Sequence, residues 1–227
     1  MKKKSKQVSE FTKITWYLGV LAVITEIGIG FMYFTSIDSS ERYFGIMTLI
    51  EGFTGFLGLL TIDVIHGKPF NFKPDLFRDN DPRTIGNTIT IGVCLVVLQI
   101  ILQFPLTVRI FYLASAILFA GVVEELFFRG FLLAVFIRMG ENDKKLHIYK
   151  DYYISPTEIF GIFVSSLSFM VLHVNYYSDL TLMIMVFFSG VILGFFYCIF
   201  RDLTANILAH LGVNLIMVLQ TFVFVNF

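Results

Sequence analysis

Apolar runs of about twenty residues recur along this 227-residue chain, and nothing else in the sequence restricts its fold so strongly. A helix rising ~1.5 Å per residue needs about 20 such residues to cross a ~30 Å hydrocarbon core. Membrane barrel strands would be roughly half that length and would alternate apolar with polar residues. The runs therefore predict an all-α, polytopic transmembrane helical bundle with about seven spans, at 14–35, 45–65, 85–107, 111–137, 157–177, 181–200 and 205–226. With 56% hydrophobic residues and a mean hydropathy of +0.79, the chain has more apolar surface than one water-facing globule can hide. Although the sequence opens Met1-Lys2-Lys3-Lys4, the run from Ile14 to Phe34 is longer than a signal-peptide core and no small-residue cleavage pattern follows it. It is expected to be a retained first span.

The short polar connections orient the bundle. Lys2, Lys3, Lys4, Lys6 and Lys13 precede the first span; Lys68, Lys73, Arg78 and Arg83 lie in 66–84; Arg138, Lys144, Lys145 and Lys150 lie in 138–156. The turns near 36–44, 108–110 and 178–180 are poor in basic residues. Since Lys and Arg are retained on the cytoplasmic side, the N-terminus is expected in the cytoplasm and, after an odd number of spans, the C-terminus outside. The 17 basic and 17 acidic residues balance, so no nucleic-acid surface is expected. Cys94 and Cys198 fall in apolar runs and form no zinc-binding or disulfide pattern. The two basic loops are too short for further domains, leaving residues 1–227 as one membrane domain. Gly52, Gly55 and Gly58, like Gly190 and Gly194, are spaced to let helices pack closely.

A charge in mid-membrane costs on the order of 2.5 kcal/mol or more, so each needs a partner or a purpose. The fourth span holds three: Glu124, Glu125 and Arg129. Glu125 and Arg129 are four apart and share a helix face, whereas Glu124 points about 100° away. This spacing makes Arg129 the partner of Glu125 and turns Glu124 toward a cavity; taken alone, the motif is also compatible with a purely structural ion-pair clamp. The fifth span ends in His173, with Asn175 beyond it, and the last carries His210 and Asn214 on one face. Two histidines, two glutamates, an arginine and an asparagine on three helices supply acid–base groups together with donors for a developing anion. Glu26 and Glu51 have no comparable companions and are expected to join interhelical contacts or line a vestibule.

Glu124-Glu125-x-x-x-Arg129, Phe169-x-x-x-His173 and His210-x-x-x-Asn214, in that order and each on a membrane helix, resemble the CPBP family of CAAX proteases and bacteriocin-processing enzymes, also called Abi. The likeness covers about residues 111–220. It implies an intramembrane endopeptidase acting on a membrane-associated protein or peptide. By this resemblance Glu124 activates a water with help from His173, His210 and Asn214 hold the oxyanion, and Glu125 and Arg129 support them. No cofactor is then obligatory, but the residue types also allow zinc on Glu124, His173 and His210, without any HExxH motif. The family name also implies a different class, a non-catalytic scaffold or bacteriocin self-immunity protein. A transporter would be expected to carry inverted repeats, which are absent from the sequence.

Ideal helices counted from the cytoplasmic ends put Glu124 and His173 roughly 20 and 24 Å deep but His210 only about 8 Å. For the motifs to meet, the turn at Arg201-Asp202-Leu203-Thr204 has to be recessed or a span boundary has to shift. Cysteine labelling of intact cells tests the orientation. Residues introduced in 66–84 and 138–156 are expected to be protected from an impermeant reagent, and reaction of both loops from outside would reverse the topology.

Overall fold

The computed structural model describes residues 10–65, 81–101, 111–149, 152–173 and 179–225. The helices are α1 (Glu10–Phe34), α2 (Ser39–Ile65), α3 (Asp81–Ile101), α4 (Phe111–Phe127), α5 (Ala134–Met139), α6 (Pro156–His173), α7 (Leu180–Phe200) and α8 (Leu203–Val225). A π-helical segment, Phe128–Leu133, joins α4 directly to α5, so these three pieces form one continuous helix and the described residues form seven helices in the bundle. Among the described residues, four helices are long and apolar enough to cross a membrane: α1, α2, α6 and α7. Shorter apolar stretches occupy Arg83–Leu98 of α3 and Leu203–Leu219 of α8. Large apolar side chains such as Leu21, Ile24, Ile89, Phe160 and Phe163 face outward, as suits a protein whose solvent is lipid. Asn175 and the basic loop 66–80 lie outside the described residues.

Helix starts are fixed by local chemistry. The Asp38 carboxylate accepts the backbone N–H groups of Ser40 and Glu41 at 2.7 and 3.3 Å at the head of α2. Asp179 does the same for Thr181 at 2.6 Å before α7. At α6, Ser155 and Glu158 form a reciprocal capping box, with the Glu158 N–H donating to the Ser155 hydroxyl and the Ser155 N–H to the Glu158 carboxylate, both at 3.1 Å. Between α5 and α6 the chain forms an antiparallel hairpin, β1 (Leu146–Tyr149) with β2 (Tyr152–Ile154), where a plain polar connection was expected. Leu-His-Ile-Tyr and Tyr-Tyr-Ile are rich in residues that suit a pleated surface, and Ile154 is buried in the core.

The helices approach closely where glycine removes a side chain. A Cβ on Gly58 of α2 would stand 2.6 Å from the Leu126 backbone of α4, and one on Gly190 of α7 would stand 3.0 Å from the Ser166 Cα of α6. Gly55 is similarly pressed against Val123. These contacts lock α2 and α7 against the helices carrying the polar motifs. Gly58→Ala is therefore expected to destabilise the protein by about 1–3 kcal/mol, because backbone has to move. Gly28→Ala meets nothing within 4 Å and is expected to be neutral or to stabilise by up to ~1 kcal/mol, since alanine is the better helix former. Thermal unfolding of both variants in one detergent checks the contrast.

Candidate functional site

The π-helical segment follows the two glutamates directly. Its i→i+5 ladder inserts an extra residue into the turn, and the Ser165 hydroxyl of α6 donates to the Phe128 carbonyl at 3.1 Å. Arg129 sits inside this segment, fully buried. Its Nη1 donates to Glu125 Oε1 at 2.8 Å and its Nη2 to the Gly190 carbonyl of α7 at 3.1 Å. The guanidinium lies 5.0 Å from the Phe169 ring centroid and 5.9 Å from that of Phe128, so it meets π-systems while its two Nη atoms meet acceptors and its Nε has no hydrogen-bond partner among the described residues.

Glu125, also fully buried, takes two further donors from α8. The His210 Nδ1–H donates to Oε1 at 2.9 Å and Asn206 Nδ2 to Oε2 at 3.3 Å, with Asn206 donating as well to the Leu193 carbonyl at 2.8 Å. Glu125 thus ties α4 to α8 directly, and to α7 through Arg129. Glu124 turns the other way. His173 Nε2 lies 3.4 Å from its Oε1 and His210 Nε2 3.6 Å from its Oε2. The His173 Nδ1–H donates to the Phe169 carbonyl at 2.8 Å. Because a carbonyl and a carboxylate only accept, both rings carry a proton on Nδ1, and in their neutral form each presents a bare Nε2 to Glu124.

Asn214, one turn beyond His210 on α8, joins His173, His210, Phe169 and Leu193 in lining a cavity. Glu124 is not on that wall; it is 6% exposed and stands behind the two imidazoles. Phe169 is packed with its ring centroid 4.6 Å from that of His173, 6.1 Å from that of His210 and 5.2 Å from that of Phe128. Gly121, one turn before Glu125, abuts the same group: a Cβ there would meet Asn214 Nδ2 at 2.8 Å and the His210 ring at 3.2 Å. The six motif residues are therefore brought together, and the depth mismatch disappears because the turn between α7 and α8 is itself buried. Asp202 there accepts from Thr84 at 2.8 Å and Asn87 at 3.3 Å on α3 and caps Ala205 at 3.0 Å. The pattern search missed Asn206 and Gly121. Asn206 was detectable as one more i−4 step before His210, whereas Gly121 was one small residue among many.

The two bare imidazole nitrogens and a carboxylate are donor types that zinc accepts. Among the described residues, however, no group of three or more His, Cys, Asp or Glu side chains is gathered as a metal-binding set.

Residues 105–216 match the family model described as type II CAAX prenyl endopeptidase Rce1-like. Over this half, the chain belongs to that family. It is a protease family, and the chain is an integral membrane protein. The matched residues include all six of the motif positions. No curated protein and no solved structure shows a significant match to the chain.

Removing Arg129 would leave Glu125 buried with two neutral donors from α8. Arg129→Ala is expected to cost about 3 kcal/mol or more and to lower the yield of folded protein. The double variant Glu125→Gln/Arg129→Met is expected to recover much of that loss. Full thermal stability of Arg129→Ala with only turnover lost would instead give Arg129 a catalytic role.

Proposed function

We propose that the protein is an intramembrane endopeptidase that hydrolyses a peptide bond of a membrane-associated protein or peptide. The carrying observation is the approach of two imidazole Nε2 atoms to one carboxylate, His173 and His210 on Glu124, beside a cavity that Asn214 also lines. Glu124 draws a proton from a water, and His173 shares the task through its bare Nε2. The resulting hydroxide attacks the scissile carbonyl carbon. Asn214 Nδ2 and His210 Nε2 donate to the oxygen on which negative charge develops. His210 already donates from Nδ1 to Glu125, so donation from Nε2 uses its second ring proton and His210 enters that step as imidazolium. The protonated Glu124 then returns its proton to the leaving amine, and the peptide bond breaks. Glu125 and Arg129 act through His210 by fixing its ring, as a carboxylate orients a histidine in hydrolytic triads.

The family's description is of a prenyl endopeptidase, so a prenylated CAAX peptide in bilayers is the first substrate to test, beside its unprenylated form. Glu124→Gln keeps the shape and removes the base; it is expected to abolish cleavage, read by mass spectrometry of the products, with unchanged thermal stability and peptide binding. Asn214→Ala is expected to lower kcat by about 100-fold or more, the scale of one oxyanion donor. Undiminished cleavage by Glu124→Gln would reject the assignment. Loss of wild-type activity to a chelator, restored by zinc, would move Glu124, His173 and His210 to ligand roles. A wild type that binds the peptide and cuts none of it would favour the scaffold or immunity function.

A further inference from the structure

Glu26 on α1 is fully buried, and neither of its carboxyl oxygens has a hydrogen-bond partner among the described residues. Its backbone passes over Gly52 of α2, where a Cβ would stand 3.2 Å from the Glu26 Cβ. The charged groups that act on Glu26 are the carboxylates of Glu51 on α2 and Glu124 on α4, and the Glu51 charge acts in turn on His173. Carboxyl groups from α1, α2 and α4 thus act on one another, while the cavity with Asn214 is lined from α3, α6, α7 and α8 and by neither Glu26 nor Glu51.

A buried polar group without a protein partner is costly, and repulsion between neighbouring carboxyl groups adds to the cost. Water relieves both terms, because it has two O–H donors and bridges two acceptors at once. We infer that Glu26 holds water between itself and the Glu51 and Glu124 carboxyl groups. A hydrolase embedded in lipid must store its co-substrate where hydrocarbon excludes it. Glu26 is then a positioning residue: it touches no substrate and acts by keeping a water within reach of Glu124. This catalytic use rests on the protease function proposed above; the water site does not.

The test compares wild type, Glu26→Gln and Glu26→Leu. Glutamine still holds water by hydrogen bonds, whereas leucine fills the same space without them. Glu26→Leu is expected to lower kcat by at least about tenfold with KM within about twofold of wild type, since a misplaced reactant costs rate rather than binding. Glu26→Gln is expected to restore kcat to within about threefold of wild type. The thermal midpoint of Glu26→Leu should equal or exceed that of wild type, because an unpartnered polar group has been replaced by an apolar one; a residue with a merely structural role would lose stability. Radiolytic hydroxyl labelling reads the water without turnover. Ile27, which packs beside Glu26 on Gly52, should be labelled in wild type and Glu26→Gln and protected in Glu26→Leu. Labelling that persists in Glu26→Leu overturns the water site, and lost labelling with undiminished kcat overturns its catalytic use. A wild type that shows the labelling pattern but cleaves nothing overturns the protease function and leaves the water site standing.

Discussion

The buried carboxylate of Glu125 is the constraint around which the bundle is arranged. Lipid gives apolar helices little reason to choose one partner or register over another, because hydrocarbon tails are as apolar as leucine. A carboxylate away from water is selective by contrast, since it needs donors in fixed directions. Glu125 takes them from Arg129 on its own span and from Asn206 and His210 on α8. Arg129 then reaches the Gly190 carbonyl of α7. A shift of α8 by one residue would turn Asn206 and His210 away together, so this network sets the register of the helix that also carries Asn214.

The turn between α7 and α8 makes that register attainable. Arg201 ends α7 in the left-handed region at φ 53°, an unusual conformation for a residue with a side chain. Its guanidinium donates to Glu158 at 2.6 Å, and Glu158 also completes the capping box of α6. Asp202, fully buried, holds the start of α8 and the first turns of α3. Asp202, Glu158 and one arm of Arg201 are thus paired at one level, while Arg201 Nη1 and Thr204 Oγ1 in the same turn have no hydrogen-bond partner among the described residues. The chain reverses there beneath the protein surface, which lets His210 stand beside Glu124 after little more than two turns of α8.

Much of this was legible in the sequence, and the rest fails for identifiable reasons. Run length revealed the helices of the bundle because the hydrocarbon core demands long apolar runs, and among the described residues four of them are long and apolar enough to cross it. The pairing of Glu125 with Arg129 followed from a four-residue spacing, which survives because the two residues flank the start of the π-helical segment. That segment has no sequence signal of its own; it depends on Ser165, a residue 37 positions away that takes up the Phe128 carbonyl. The hairpin was hidden by its brevity, four residues against three, inside a stretch marked by charge. Asn206 escaped because asparagine near a helix start is usually a cap, and Glu26, though expected to join interhelical contacts or line a vestibule, had no neighbour in sequence to say which. In each case the deciding partner lies on another helix.

The adjacent glutamates show how one dipeptide acquires two chemistries. Both occupy the same helix at nearly the same depth and have the same side chain. The rotation of about 100° between successive helical residues separates them. Glu125 faces three fixed donors, one of them charged, and its lone pairs are engaged at 2.8 to 3.3 Å. Glu124 meets two imidazole nitrogens at 3.4 and 3.6 Å, beyond the range of strong hydrogen bonds. A carboxylate engaged by three donors is an anchor, and its protonation would break the contacts that hold α8. A carboxylate that meets only two imidazole nitrogens, at these longer distances, can accept a proton without dismantling the fold. Helix geometry thus makes one glutamate part of the structure and leaves the other available for chemistry.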